Sequence, residues 1–167
     1  NFSVPTGNFG DVYAGYLAKK MGLPINKLIV ATNQNDILHR AISNGGYEVE
    51  NVFETLSPSM DIQVASNFER LIYDLNEGDD LQTIDAMKNI KEKGKYIINQ
   101  EKLDKINADF LSARMSEEEV LKTISKVYEK FKIVLDPHSA IGYGAFDKIN
   151  LDGNNIVLAT AHPCKFP

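Results

Sequence analysis

Apolar and polar positions along this chain follow two rhythms, one extended and one helical, and the first switch between them comes at once. Phe2-Ser-Val-Pro5 reads as a strand, Gly7 and Gly10 as a tight turn. From there to Met21 the residues Val12, Leu17, Ala18 and Met21 recur at helical spacing, with Gly22 as a stop before Pro24. Residues 28–31 form a short apolar run of the kind buried in a parallel sheet. Residues 36–42 are helical, closed by Asn44-Gly45-Gly46, and residues 49–53 read as a further short strand. A long helix is expected over residues 61–75, burying Ile62, Phe68, Leu71, Ile72 and Leu75. Gly78 and Asp79 open a polar helix that runs to Lys93.

Between about residues 81 and 131 the chain becomes Lys/Glu-rich and poor in glycine, which suggests a helical insert or lid rather than sheet core. Its last helix opens at Ser116 with Glu119 three residues on, the pattern of a capping box. Asp136-Pro137 starts another helix, which reaches about Ile149, and residues 154–159 read as a final buried strand before Thr160-Ala161-His162-Pro163. Strand–helix alternation at both ends implies an α/β fold on a parallel sheet.

Composition narrows the classes. With 167 residues one domain is the default, and 43% hydrophobic with 25% charged residues is ordinary for a soluble globular protein. A net charge of −5, with no basic cluster clear of acidic neighbours, speaks against a nucleic-acid or anionic-membrane surface. One cysteine excludes an internal disulfide and suits a reducing cytoplasm. No run approaches the length of about 18 apolar residues that a span needs, and no stretch resembles a signal peptide.

Several segments carry candidate chemistry. Around Gly7-Asn8-Phe9-Gly10 a strand, a glycine turn and a helix N-terminus present backbone N–H groups to an anion, and the helix dipole adds about half a positive charge. The same spacing fits an ordinary βα turn in which glycine supplies a positive φ, and spacing does not choose between them. Thr32-Asn33-Gln34-Asn35-Asp36 closes the second strand, where ligands of parallel sheets bind, though Asn35 or Asp36 also suits a helix cap. Ser57-Pro58-Ser59-Met60-Asp61 suits a turn and cap. Thr160 stands at the end of the last strand, able to hydrogen-bond a ring nitrogen or hydroxyl, or its own backbone. His39, His138, His162 and Cys164 make a poor zinc set, no Gly-x-Ser-x-Gly elbow occurs, and Glu117-Glu118-Glu119 is a solvated first turn.

Together these segments resemble the bacterial-type threonine synthases, pyridoxal-phosphate enzymes of fold type II. The residues that carry the likeness are Val4 to Asp11, Ala31-Thr32-Asn33 with Asn35-Asp36, Ser57 to Ile62, Ser66-Asn67-Phe68-Glu69-Arg70, Asp136 to Gly142 and Ala159 to Pro163, in the family's order. The resemblance implies part of a three-layer αβα large domain and the conversion of O-phosphohomoserine and water into threonine and phosphate. It implies that Gly7, Asn8, Phe9 and Gly10 hold the phosphate of pyridoxal 5'-phosphate, that Thr160 faces its ring nitrogen, and that Asn35, Asp36 and Arg40 lie toward the substrate. The family's Schiff-base lysine sits in an aromatic-Lys-Asp segment ahead of the glycine loop. This chain has no Lys-Asp pair, and Phe131-Lys132-Ile133 is the nearest imitation. The lysine is therefore expected upstream of Asn1, together with an N-terminal domain, and the isolated segment is expected to be inactive. A non-catalytic α/β module for a phosphate ligand is the alternative.

Overall fold

The structure, a computed structural model, describes residues 1–166. In chain order the elements are β1 (Phe2–Pro5), α1 (Gly10–Lys20), β2 (Leu28–Thr32), α2 (Ile37–Asn44), β3 (Gly46–Glu48), α3 (Phe68–Leu75) and α4 (Asp80–Lys93). Then come β4 (Lys95–Ile97), α5 (Gln100–Asp109), β5 (Phe110–Arg114), α6 (Glu117–Phe131), α7 (Pro137–Ile149) and β6 (Ile156–Val157), with short 3-10 turns at Pro58–Met60 and Pro163–Lys165.

Four strands make a parallel sheet in the order β5-β2-β1-β6, and β3 pairs antiparallel with β4 beside it. Successive residues of β2 face opposite sides. Leu28 and Val30 join Val4, Val12, Leu38, Phe68 and Ile106 in one core, while Ile29 and Ala31 join Ala113, Val120, Ile141 and Ala145 in a second. Helices α1 to α5 thus cover one face and α6 and α7 the other, a three-layer αβα arrangement. Strand order reverses at β1, since β2 and β5 are added on one side and β6 on the other. In such sheets the crevice at the carboxyl ends of the strands flanking the reversal is where ligands bind.

Four expectations need correction. The section 81–131 is not purely helical: β5 is a full strand of the main sheet, its Phe110 set opposite Leu28 and Arg114 opposite Thr32. Residues 49–53 form no strand, because the amide of Asn35 takes both backbone groups of Phe53, at 2.9 and 2.8 Å, and the pairing residues are Gly46–Glu48 instead. The long helix over 61–75 begins only at Phe68. Ahead of it the N–H of Ala65 donates to Tyr47 Oη (2.8 Å) and that of Ser66 to Asn8 Oδ1 (2.5 Å), partners that hold the backbone out of a helix. The last strand is two residues long and half exposed, not a buried run over 154–159.

Candidate functional site

The loop between β1 and α1 surrounds a pocket of about 200 Å³, walled by Thr6 to Asp11 and by Asn67. Among the described residues no acceptor meets the backbone N–H groups of Gly7, Asn8, Phe9, Gly10 or Asp11. They stand at a helix N-terminus, an arrangement that can receive an oxyanion. Gly7 and Gly10 do not supply the left-handed residue; Phe9 does, at φ 66° and ψ 8°. That conformation is unfavourable for a bulky side chain. It is held because the Phe9 ring is fully buried, edge-on to Phe68 at 5.1 Å and beside Phe110 at 5.8 Å. Gly7 is required for another reason, close approach: a β-carbon there would lie 3.0 Å from Met60 Cα and 3.1 Å from the Ser59 carbonyl oxygen.

The wall that presses on Gly7 is anchored by the end of β2. Asp61 accepts from the amides of Asn33 (2.8 Å) and Asn35 (2.9 Å) and from both the N–H (2.8 Å) and the hydroxyl (2.6 Å) of Thr55. Asn33, wholly buried, also approaches the Ser57 hydroxyl at 2.9 Å, and its own oxygen accepts from the N–H of Asn35. The polar cluster after β2 therefore fixes the turn at Pro58–Met60 against the cradle. Both N–H groups of the Asn35 amide are thereby taken, by Phe53 and Asp61.

Asp36 sits at the N-cap of α2 without a capping bond from its side chain. Its carboxylate meets Arg40 Nε at 2.9 Å and Arg114 Nε at 3.4 Å, and Arg40 also reaches Glu50 (3.1 Å) and Gln63 (3.3 Å). Of the two caps proposed from sequence at this point, neither forms. Beside them His39 Nδ1 lies 2.9 Å from the Ser112 hydroxyl, and burial pushes the imidazole below its ordinary value.

Thr160 belongs to the neighbouring strand end. Leu158 N–H continues the pairing of β6 to the Ser3 carbonyl, which puts exposed Thr160 two residues further on, at the same end of the sheet as the cradle. Its N–H donates to Ser139 Oγ at 3.2 Å. Helix α7 is seated for this by Asp136, whose buried carboxylate accepts from the N–H groups of His138 and Ser139. Gly142 lets Pro5 and Val157 come within 3.0 and 3.2 Å of where a β-carbon would be. Lys132 closes α6 in the left-handed conformation, its ammonium 5.3 Å from the Tyr128 ring centre, and does not line the cradle. Glu117 is more than solvated, since it accepts the Leu56 N–H at 2.8 Å. Sequence reasoning assigned no role to Asn67, and only tertiary contact between α3 and the loop brings it to the pocket.

No family model matches the chain. Threonine synthase of Pseudomonas aeruginosa is 46% identical to it over an alignment of 168 positions, which covers 99% of this chain and 36% of that protein. Threonine synthase of Saccharomyces cerevisiae is 45% identical over a gapped alignment of 184 positions, with the same coverage of each chain. Among solved structures, the crystal structure of PLP-bound threonine synthase from Brucella melitensis matches with a TM-score of 0.96 and 48% identity, over 99% of this chain and 36% of that one. The chain thus spans little more than a third of the length of the proteins it matches.

Proposed function

The chain belongs to the threonine synthase family, and from that premise we propose that it is one segment of a longer pyridoxal-phosphate enzyme, which converts O-phosphohomoserine and water into threonine and phosphate. The observation that carries this reading is the ring of unpaired N–H groups from Gly7 to Asp11 at the N-terminus of α1, beside the strand-order reversal. A phosphate dianion needs several convergent donors, and these residues offer them with no side chain at Gly7 or Gly10 in the way. The fit to the cofactor's phosphate is therefore good.

In this reading Gly7, Asn8, Phe9 and Gly10 hold the cofactor by backbone donors, Asn8 using its N–H while its side chain ties the loop to Ser66. The Thr160 hydroxyl would partner the ring nitrogen, with its backbone steadied by Ser139. The cofactor supplies an electron sink for carbanion chemistry. Asn35, Asp36 and Arg40 border the substrate side as a frame: Asn35 is bonded to Phe53 and Asp61, and Asp36 to Arg40, which leaves shape and charge balance as their main contribution. The remainder of the active site, including the lysine, comes from outside these residues. A pocket of about 280 Å³ lined by Val127, Phe131, Ile133, Tyr143 and Val157, next to the short strand β6, offers that remainder an apolar seat. An exposed free thiol at Cys164 fits a cytoplasmic enzyme. A non-catalytic phosphate-binding module would keep the cradle, but 46% identity along the whole chain to a threonine synthase favours the enzyme.

Intact mass after incubation with pyridoxal phosphate and borohydride tests the division of labour. The segment alone is expected to gain no stoichiometric adduct, and the longer protein to gain one on a lysine outside these residues. A stoichiometric adduct on a lysine within them overturns the proposal.

A further inference from the structure

The cradle's backbone donors all come from one loop, which leaves open what faces the anion from the other side. Asn67 stands there. It is half-buried, lines the same pocket, and its Nδ2 lies 3.4 Å from the point a β-carbon on Gly10 would occupy. Although Asn67 is the N-cap residue of α3, its side chain makes no capping bond, and among the described residues its amide has no other hydrogen-bond partner. Asparagine at an N-cap normally turns inward to accept from the helix's own N–H groups. Here it does not, and Asn67 is aligned with the pocket instead.

Asn8, the side chain that sequence pattern puts in the cradle, is committed elsewhere. Its oxygen accepts both the N–H (2.5 Å) and the hydroxyl (2.9 Å) of Ser66. Those bonds have a second effect: they lock the residue before Asn67 onto the loop, and so set the distance between the Asn67 amide and the pocket. The geometry points to Asn67 as the side-chain donor to the anion, its Nδ2–H₂ closing a cradle that Asn8 organises from outside. This assignment rests on the reading of the loop as the cofactor-phosphate site. An amide N–H given to a phosphate oxygen is a charge-assisted bond. Losing one such bond weakens binding about tenfold or more.

The experiment uses the longer protein that carries this segment, freed of cofactor. Dissociation constants are measured for pyridoxal phosphate and for pyridoxal, which lacks the phosphate, in the parent and in Asn67→Ala, Asn67→Asp and Gly7→Ala. Asn67→Ala is expected to weaken pyridoxal phosphate about tenfold and leave pyridoxal unchanged. Asn67→Asp, which keeps the shape, is expected to weaken it further by charge repulsion. The phosphorus NMR resonance of the bound cofactor is expected to move in both. If Asn67→Ala does not fold, Asn67→Asp carries the test alone. Equal losses for the two ligands, or no loss at Asn67 with a loss at Gly7, overturn the role of Asn67 and leave the cradle standing. No loss in any variant overturns the cradle as well.

Discussion

Gly7 and Met60 meet backbone to backbone: a β-carbon on Gly7 would lie 3.0 Å from Met60 Cα, and the neighbouring Ser59 oxygen is as close at 3.1 Å. Neither is the flexible end of a side chain, so neither can yield without moving the turn. That turn is held by Asp61, Asn33 and Ser57, which tie it to the end of β2. Gly7→Ala is therefore expected to cost about 1–3 kcal/mol of stability by overpacking. It is also expected to weaken cofactor phosphate binding, and urea unfolding read beside a cofactor titration checks both. A variant with unchanged stability means the turn is free to shift.

Phe9 inverts the usual ranking of small residues. Its left-handed backbone suits glycine, whereas its ring fills the space between Phe68 and Phe110. Both Phe9→Ala and Phe9→Gly lose the ring, at about 3–5 kcal/mol. Glycine also relieves the backbone, so Phe9→Gly is expected to be the more stable of the two by about 1 kcal/mol. Comparison of their urea midpoints decides.

Asp61 collects the donors of Asn33, Asn35 and Thr55. Removing it leaves the amide of wholly buried Asn33 short of its best acceptor. Asp61→Ala is expected to cost about 2 kcal/mol or more. It is also expected to raise hydrogen exchange at Phe53 and Thr55, whose N–H groups this cluster holds. Protection that stays at the parent level in the variant contradicts this role.

Asp136 ties stability to pH. Burial pushes its carboxyl up, but the bonds from Ser139 and His138 outweigh that and hold it below its ordinary value of 3.8. The unfolded chain thus takes up the proton first. The contribution of Asp136 is fully present above the ordinary carboxylate range and is lost as pH falls through the lowered folded value. Asp136→Asn keeps a capping side chain but lacks the charge. The stability gap between parent and variant is expected to be about 1 kcal/mol near pH 7 and to close on acidification below about pH 4. A gap that does not narrow contradicts the assignment.

What sequence could and could not reveal follows from where each signal resides. Strand β1, helix α1, strand β2 and helix α2 were legible because glycines and apolar runs are local. Strand β5 was hidden: Phe110-Leu-Ser-Ala-Arg114 is short and mixed, and its charged flanks suggested helix throughout. Residues 61–67 kept a helical spacing, yet Tyr47 and Asn8, 18 and 58 residues away in sequence, take their N–H groups. The same holds at the site. Gly7 to Gly10 announced themselves in one loop, whereas the wall at Met60 and the amide of Asn67 reach the pocket only through contacts across the fold.

The most direct test exchanges the segment itself. Residues 1–167 replace the matching 36% of the Pseudomonas aeruginosa threonine synthase. Phosphate release and threonine formation from O-phosphohomoserine are then followed for this chimera and for the segment alone. Turnover by the chimera and none by the segment is expected. A chimera that folds and takes up pyridoxal phosphate but releases no phosphate, or a segment that turns over unaided, contradicts the assignment.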